Sequence, residues 1–311
     1  MIEIIKSGTT IDFVSKMKHV AIFSIVIMFI AIYGIMNNMK YGVDFRGGVE
    51  VQVQFDKQTS MDDIRDSLDK SGFKGAVVQT IGEVSENNVL IKVQADETQL
   101  NQVSENIKKS LMESFSGTTV EVEKIDIVGP KAGAELRMSA IKAMLWAILA
   151  IMVYVAIRFD FKFAPGVIIS LVHDVVIVAG LVAFSPFEFT LSTVAALLAI
   201  IGYSVNDTVV VYDRIREAEE KDPTLSLAHN INLAINDTLS RTILTSVGVF
   251  FVSITMFLTG DGDLKNFFFT LIVGVAFGTY SSIFVAAAST IAFDRFFKKE
   301  VKKSENNPVH V

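Results

Sequence analysis

Residues 191–212 read LSTVAALLAIIGYSVNDTVVVY, a stretch that carries a carboxylate, Asp207, with Val209, Val210 and Val211 still to follow. A helix needs about 20 mostly apolar residues to span the hydrocarbon of a bilayer, and this stretch meets that length. Five others resemble it, at 20–36, 140–157, 163–184, 242–258 and 266–293. The chain of 311 residues is 51% hydrophobic, with mean hydropathy +0.46. Its apolar residues are gathered into these runs and not spread as a soluble core would spread them. The first run exceeds an ordinary signal-peptide core, and no small-x-small cleavage site follows in Asn37-Asn38-Met39-Lys40.

Lysines and arginines in the short connections orient the spans. Lys6, Lys16 and Lys18 precede the first; Arg158 and Lys162 lie between the second and third. Arg214, Arg216, Lys221 and Arg241 lie between the fourth and fifth, and Arg295, Lys298, Lys299, Lys302 and Lys303 follow the sixth. The opposite side has no basic residue in 185–190 and only Lys265 in 259–265. This asymmetry predicts cytoplasmic tails at 1–19 and 295–311, a cytoplasmic loop at about 213–241, and an outer domain at 40–135. A five-helix bundle would then occupy 138–294, after a first span at 20–36.

The outer segment alternates Val49, Val51, Val53 and Phe55 with Glu50, Gln52 and Gln54, the period of a half-buried strand. Residues 60–71 follow as a helix, with Ser60 as N-cap and Asp62 and Asp63 in its first turn. Two strands, 76–82 and 89–95, turn through Asn87-Asn88. A helix over 97–115 then aligns Leu100, Val103, Ile107 and Leu111, and a strand over 118–128 completes the order βαββαβ. The predicted fold class is a polytopic α-helical membrane protein of six transmembrane helices. A ferredoxin-like α+β extracytoplasmic domain lies between the first and second.

Ionisable groups inside spans cost about 2.5–3.5 kcal/mol each on insertion scales, and mark functional sites by default. Here they are Lys142, His173, Asp174 and Asp207, with Arg241 opening the fifth run. Lys142 is near enough to a span end to snorkel. Asp207 is either protonated or paired, and Arg241 is the cation at similar depth. A static pair that only fixes helix packing is the competing reading. Asp213 reads as a solvated helix end. His173 and Asp174, about 100° apart on a helix, are expected not to pair with each other, and either could face Asp207 across the bundle. Gly274, Gly278, Ser282, Ala286 and Thr290 form a small-residue stripe for close packing, inside the bundle or against a partner.

Other chemistries are excluded. Net charge is -6, so no basic stripe points to nucleic acid. There is no cysteine, hence no disulfide or thiol nucleophile. Gly47-Gly48 lacks the Lys-Ser/Thr of a phosphate loop, and no spacing suggests a metal site.

Three strings occur together: Gly42-Val43-Asp44-Phe45-Arg46-Gly47-Gly48 after the first span, Gly202 to Glu217 in the fourth, and Arg241-Thr242-Ile243-Leu244-Thr245-Ser246 opening the fifth. The combination resembles the SecD/SecF family of protein-export membrane proteins, related to the resistance-nodulation-division transporters, and it matches the smaller, SecF-type half. The resemblance implies an accessory role at the Sec translocon channel rather than an enzymatic one. The implied partners are a SecD-like membrane subunit and the translocating polypeptide. No cofactor is implied beyond protons as the coupling ion. Asp207 and Arg241 fall on the family's proton-relay positions. His173, Asp174, Asn206 and Asp213 are accessory polar positions, and Gly42, Asp44, Phe45, Gly47 and Gly48 are the glycine motif. A half-transporter exporting lipid or small molecules and a passive assembly factor are the competing functions.

Overall fold

In the computed structural model, residues 10–82, 86–95, 100–115, 117–159 and 163–305 are described. Lys6 and Lys162 and the start of the expected helix at 97 fall outside them. The chain opens with a 3-10 turn, Val14–Lys16, and then α1, Met17–Asn38. A single helical turn, α2 (Val43–Arg46), leads into β1, Gly48–Phe55. Then come α3 (Met61–Lys70), β2 (Val77–Ile81), β3 (Asn88–Val93), α4 (Leu100–Ser114) and β4 (Val120–Val128). The remaining helices are α5 (Pro130–Arg158), α6 (Ala164–Phe184), α7 (Leu191–Lys221), α8 (Leu227–Thr259) and α9 (Gly262–Ser281). A π-helical turn at Ser282–Ala286 joins α9 to α10, Ala287–Glu305. Among the described residues six helices, with α9 and α10 counted as one, are long and apolar enough to cross a membrane.

The four strands form one antiparallel sheet in the order β2-β3-β1-β4. Strand alternation buries Val49, Val51, Val53, Phe55 and Ile91 against Ile64 and Leu68 of α3 and Val103, Ile107 and Leu111 of α4. Asn87, at φ 53, makes the turn into β3. Ser60 occupies the N-cap of α3, but its side chain makes no cap bond. This cluster is separate from the core of the helical bundle. The segment 42–130 is therefore expected to fold when expressed alone, with mixed helix–strand circular dichroism and a cooperative melt. A featureless spectrum would refute its independence.

The bundle is built around α6 and α7. Of their most apolar windows 61% and 56% are buried, against 11% for α5 and α8, which places the latter at the periphery. Trp146 on α5 and Phe251 on α8 are correspondingly exposed. Residues 213–241, read above as a loop, are helical except for 222–226, because α7 and α8 run on beyond their apolar runs. Pairs Arg214–Glu217 and Arg216–Glu220, three and four residues apart, support the polar extension of α7. The N-terminal segment is strapped to α8. Asn236 Oδ1 accepts from Ile11 N–H at 2.8 Å, and Asn232 Oδ1 from Phe13 N–H at 2.9 Å.

Candidate relay site and its anchor

The glycine motif is an anchor on the rim of the bundle. Leu191 N–H, at the start of α7, donates to Asp44 Oδ2 at 2.9 Å, satisfying one of the open N–H groups of that helix end. Phe45 is buried beside Tyr41, Phe189, Ala140 and Val194. Gly47 has φ 84, and a Cβ there would meet the Pro130 backbone at 2.7 Å, so no other residue fits without a backbone shift. A Cβ on Gly42 would meet Thr190 at 2.7 Å. Gly48, at φ 150, lies against the Val93 carbonyl. From Leu191 to Asp207 is sixteen residues, about 24 Å of helix, so the motif is remote from Asp207.

Asp174 is the hub of the bundle interior. It is fully buried on α6, and its Oδ2 accepts from Ser204 Oγ of α7 at 2.7 Å and Ser281 Oγ of α9 at 2.6 Å. His173 Nδ1 lies 3.1 Å from Asp174 Oδ1, which corrects the expectation that these neighbours do not pair. Their Cβ directions diverge, but α6 is enclosed on both sides, and the imidazole reaches sideways across the gap. The His173 ring stacks on Tyr280, whose hydroxyl meets Ser24 of α1 at 2.7 Å. Three hydrogen-bonding groups thus compensate the desolvated carboxyl, and neither His173 nor Asp174 is hydrogen-bonded to Asp207.

Asp207, one turn beyond Ser204 on α7, is also buried, but its Oδ2 has no hydrogen-bond partner among the described residues. Of the two states expected for it, protonated or paired with Arg241, the pair is not closed here. Among the described residues the two form no ion pair, and Arg241 acts on Asp207 only through space. Asp207 shares the inward face of α7 with Ile200, Ser204 and Val211, whereas Arg241 is exposed on α8 in line with Leu244 and Gly248. Asn206 is exposed beside it, and Asp213 is held by Arg158 at 3.2 Å and Arg216 at 3.1 Å. Lys142 is exposed on α5.

Two small-residue stripes have opposite fates. Gly274 and Gly278 are spent inside the bundle: a Cβ on Gly274 would strike Ile200 of α7, and one on Gly278 would lie 3.4 Å from Ser204. On α7, Ala195, Ala199, Gly202 and Asn206 are all exposed, although the rest of that helix is the centre of the bundle. A Cβ on Gly202 would meet nothing within 4 Å. This open stripe escaped the reading of the sequence, although its spacing of four, three and four residues was there to be found. Among the described residues no group of His, Cys, Asp and Glu could hold a metal.

Comparison with known proteins agrees with this architecture. Residues 106–295 match the family described as protein export membrane protein SecD/SecF, C-terminal, and residues 39–59 match the SecD/SecF GG motif. The protein translocase subunit SecF of Calditerrivibrio nitroreducens is 39% identical over 293 residues, covering 92% of this chain and 95% of that one. That of Rickettsia rickettsii is 38% identical over 292 residues, covering 93% and 94%. The crystal structure of SecDF from Thermus, a translocon-associated membrane protein, superposes with TM-score 0.79 at 32% identity. It covers 93% of this chain, which spans 39% of that longer one. The glycine motif, the six spans and these likenesses over nearly the whole length agree: the chain belongs to the SecD/SecF family of protein-export membrane proteins.

Proposed function

We propose that this chain is the smaller subunit of a proton-driven export unit in the bacterial cytoplasmic (inner) membrane. It works with a SecD-like membrane subunit at the Sec translocon channel to draw the translocating polypeptide outward. Both termini are cytoplasmic, as the lysine and arginine asymmetry of the short connections supports. The α+β domain is outside, and its strand order, with β3 between β1 and β2, supports the ferredoxin-like reading.

The observation that carries the proposal is Asp207: a buried carboxyl with an unpartnered oxygen, next to a small-residue stripe left open on the central helix. A buried acceptor with no partner among the described residues calls for one from elsewhere, a proton or a group on a second subunit. The stripe lets another helix approach closely, and Arg241, exposed on α8, acts through space on the ionised form. A proton descending the membrane potential releases about 2.3 kcal/mol per 100 mV. Alternating protonation of Asp207 would change its attraction to Arg241 and to the partner, and so rock α7, with the helices tied to it, against α5 and α8. His173 and Asp174 tie α1, α6, α7 and α9 into one body that moves together.

Membrane vesicles containing this chain and its co-purifying partner should show export with an uncoupler-sensitive component that vesicles lacking the chain do not. Equal uncoupler sensitivity in both would defeat the proposal. In intact cells an impermeant thiol reagent should label cysteine placed at Asn87 and not at Glu219, and the reverse pattern would invert the topology.

A further inference from the structure

Among the described residues the sheet domain, 48–128, meets the bundle in two very different ways. The chain crosses between them twice, at Gly47–Gly48 and at Gly129–Pro130. These crossings are adjacent, since Gly48 pairs with Val128 across β1 and β4 and Gly47 lies against the Pro130 backbone. Two covalent crossings at one spot fix a pivot but leave rotation about it open.

The second contact is non-covalent and polar. Lys92 stands on β3, on the sheet face opposite the core residues Ile91 and Val93, yet its side chain is only 4% exposed. Its Nζ lies 2.9 Å from Asp263 Oδ1 in the first turn of α9, and 3.4 Å from Glu50 Oε2, its cross-strand neighbour on β1. Next to it, Gly82 N–H donates to Asp261 Oδ2 at 3.0 Å, and Ile81 and Leu90 lie against Gly262. Glu188, on the connection from α6 to α7, is within electrostatic reach. Burial pushes Glu50 and Glu188 above the ordinary carboxylate range, with Lys92 opposing it. Burial works to lower Lys92, yet Asp263 and Glu50 hold it above the usual lysine value. One ammonium therefore serves several carboxylates at the edge of the bundle. Unlike an apolar interface, such a contact can open by exchanging its partners for water.

On its membrane side the contact is continuous with the relay. Asp263 begins α9, and Ser281, eighteen residues and about 27 Å further along the same helix, holds Asp174. Between them Gly274 and Gly278 seat α9 tightly on α7, the helix that carries Asp207.

We propose that the Lys92–Asp263 ion pair is a coupling latch: it transmits displacement of α9 to the outer domain, which turns about the Gly47 and Gly129 crossings. Lys92 and Asp263 are positioning residues, and the coupling rests on the export reading above. The test uses the full chain with its co-purified partner in vesicles, with spin labels at Asp69 in the outer domain and Leu258 at the end of α8. The intact protein should give one narrow distance distribution. Asp263→Asn, at a half-exposed position that leaves the fold intact, should broaden it by several ångström and reduce export per assembled complex toward the uncoupled level. Asp263→Glu should restore both. Lys92→Met, which keeps the apolar stem, should repeat the Asp263→Asn result. Unchanged distances in Asp263→Asn overturn the latch, and changed distances with unchanged export per complex overturn the coupling. If the unsubstituted protein shows no uncoupler-sensitive export, the export reading fails on that control, and the distances, which need no export, still decide the latch.

Discussion

Asp207→Asn should remove the uncoupler-sensitive part of export while leaving insertion, abundance and partner recovery unchanged. Asparagine preserves the shape of the side chain and abolishes its titration. A static ion pair predicts the opposite, since breaking a buried pair by removing one partner costs about 3–5 kcal/mol. In this structure Asp207 makes no such pair among the described residues, and its buried oxygen is already unpartnered, so the amide strands no cation. The change in stability should therefore stay below about 1 kcal/mol, the size of one ordinary hydrogen bond. Arg241→Ala should also lose the uncoupler-sensitive component, because Arg241 is the cation that acts on Asp207 among the described residues. Arg241→Lys, with the charge but not the planar fork, should retain part of it. The measurement is export into energised vesicles with and without uncoupler, normalised to assembled complex. Full uncoupler sensitivity in Asp207→Asn would remove Asp207 from the relay.

Leucine at Gly274 and leucine at Gly202 should fail in different ways. At Gly274 even a Cβ collides with Ile200, so a leucine must pry α9 from α7. Overpacking of this kind costs about 1–3 kcal/mol or more, and here it also separates Ser281 and Ser204 from Asp174. Gly274→Leu should lower the melting temperature in detergent and the yield of folded chain. At Gly202 the side chain meets open space, so Gly202→Leu should melt like the unsubstituted protein. It should nevertheless block close approach of a second helix and abolish recovery of the partner subunit. Gly278→Leu belongs with Gly274, because its side chain would run toward Ser204 and Asp174. Normal partner recovery with Gly202→Leu would show that the open stripe of α7 is not the docking face.

The sequence by itself determined the membrane class, the six spans and the presence of a small sheet domain, because those are local signals. Length and hydropathy reveal a span, and the alternation of Val49, Val51, Val53 and Phe55 reveals a strand, with no knowledge of what lies opposite. It also singled out Asp207, since a carboxylate inside an apolar run is conspicuous anywhere. Tertiary structure alone decided which faces meet. In a bilayer the lipid-facing, partner-facing and inward faces of a helix are all apolar, so periodicity cannot rank them. That is why nothing in the sequence separates the open stripe of α7 from the buried stripe of α9. The Asp207–Arg241 separation and the His173–Asp174 contact depend on side-chain direction within an enclosed helix, which spacing constrains only to a face. The Lys92–Asp263 pair joins residues 171 positions apart. Neither is unusual in its own segment, and only the seating of the sheet on the bundle takes Lys92 out of water and sets the half-exposed Asp263 against its ammonium.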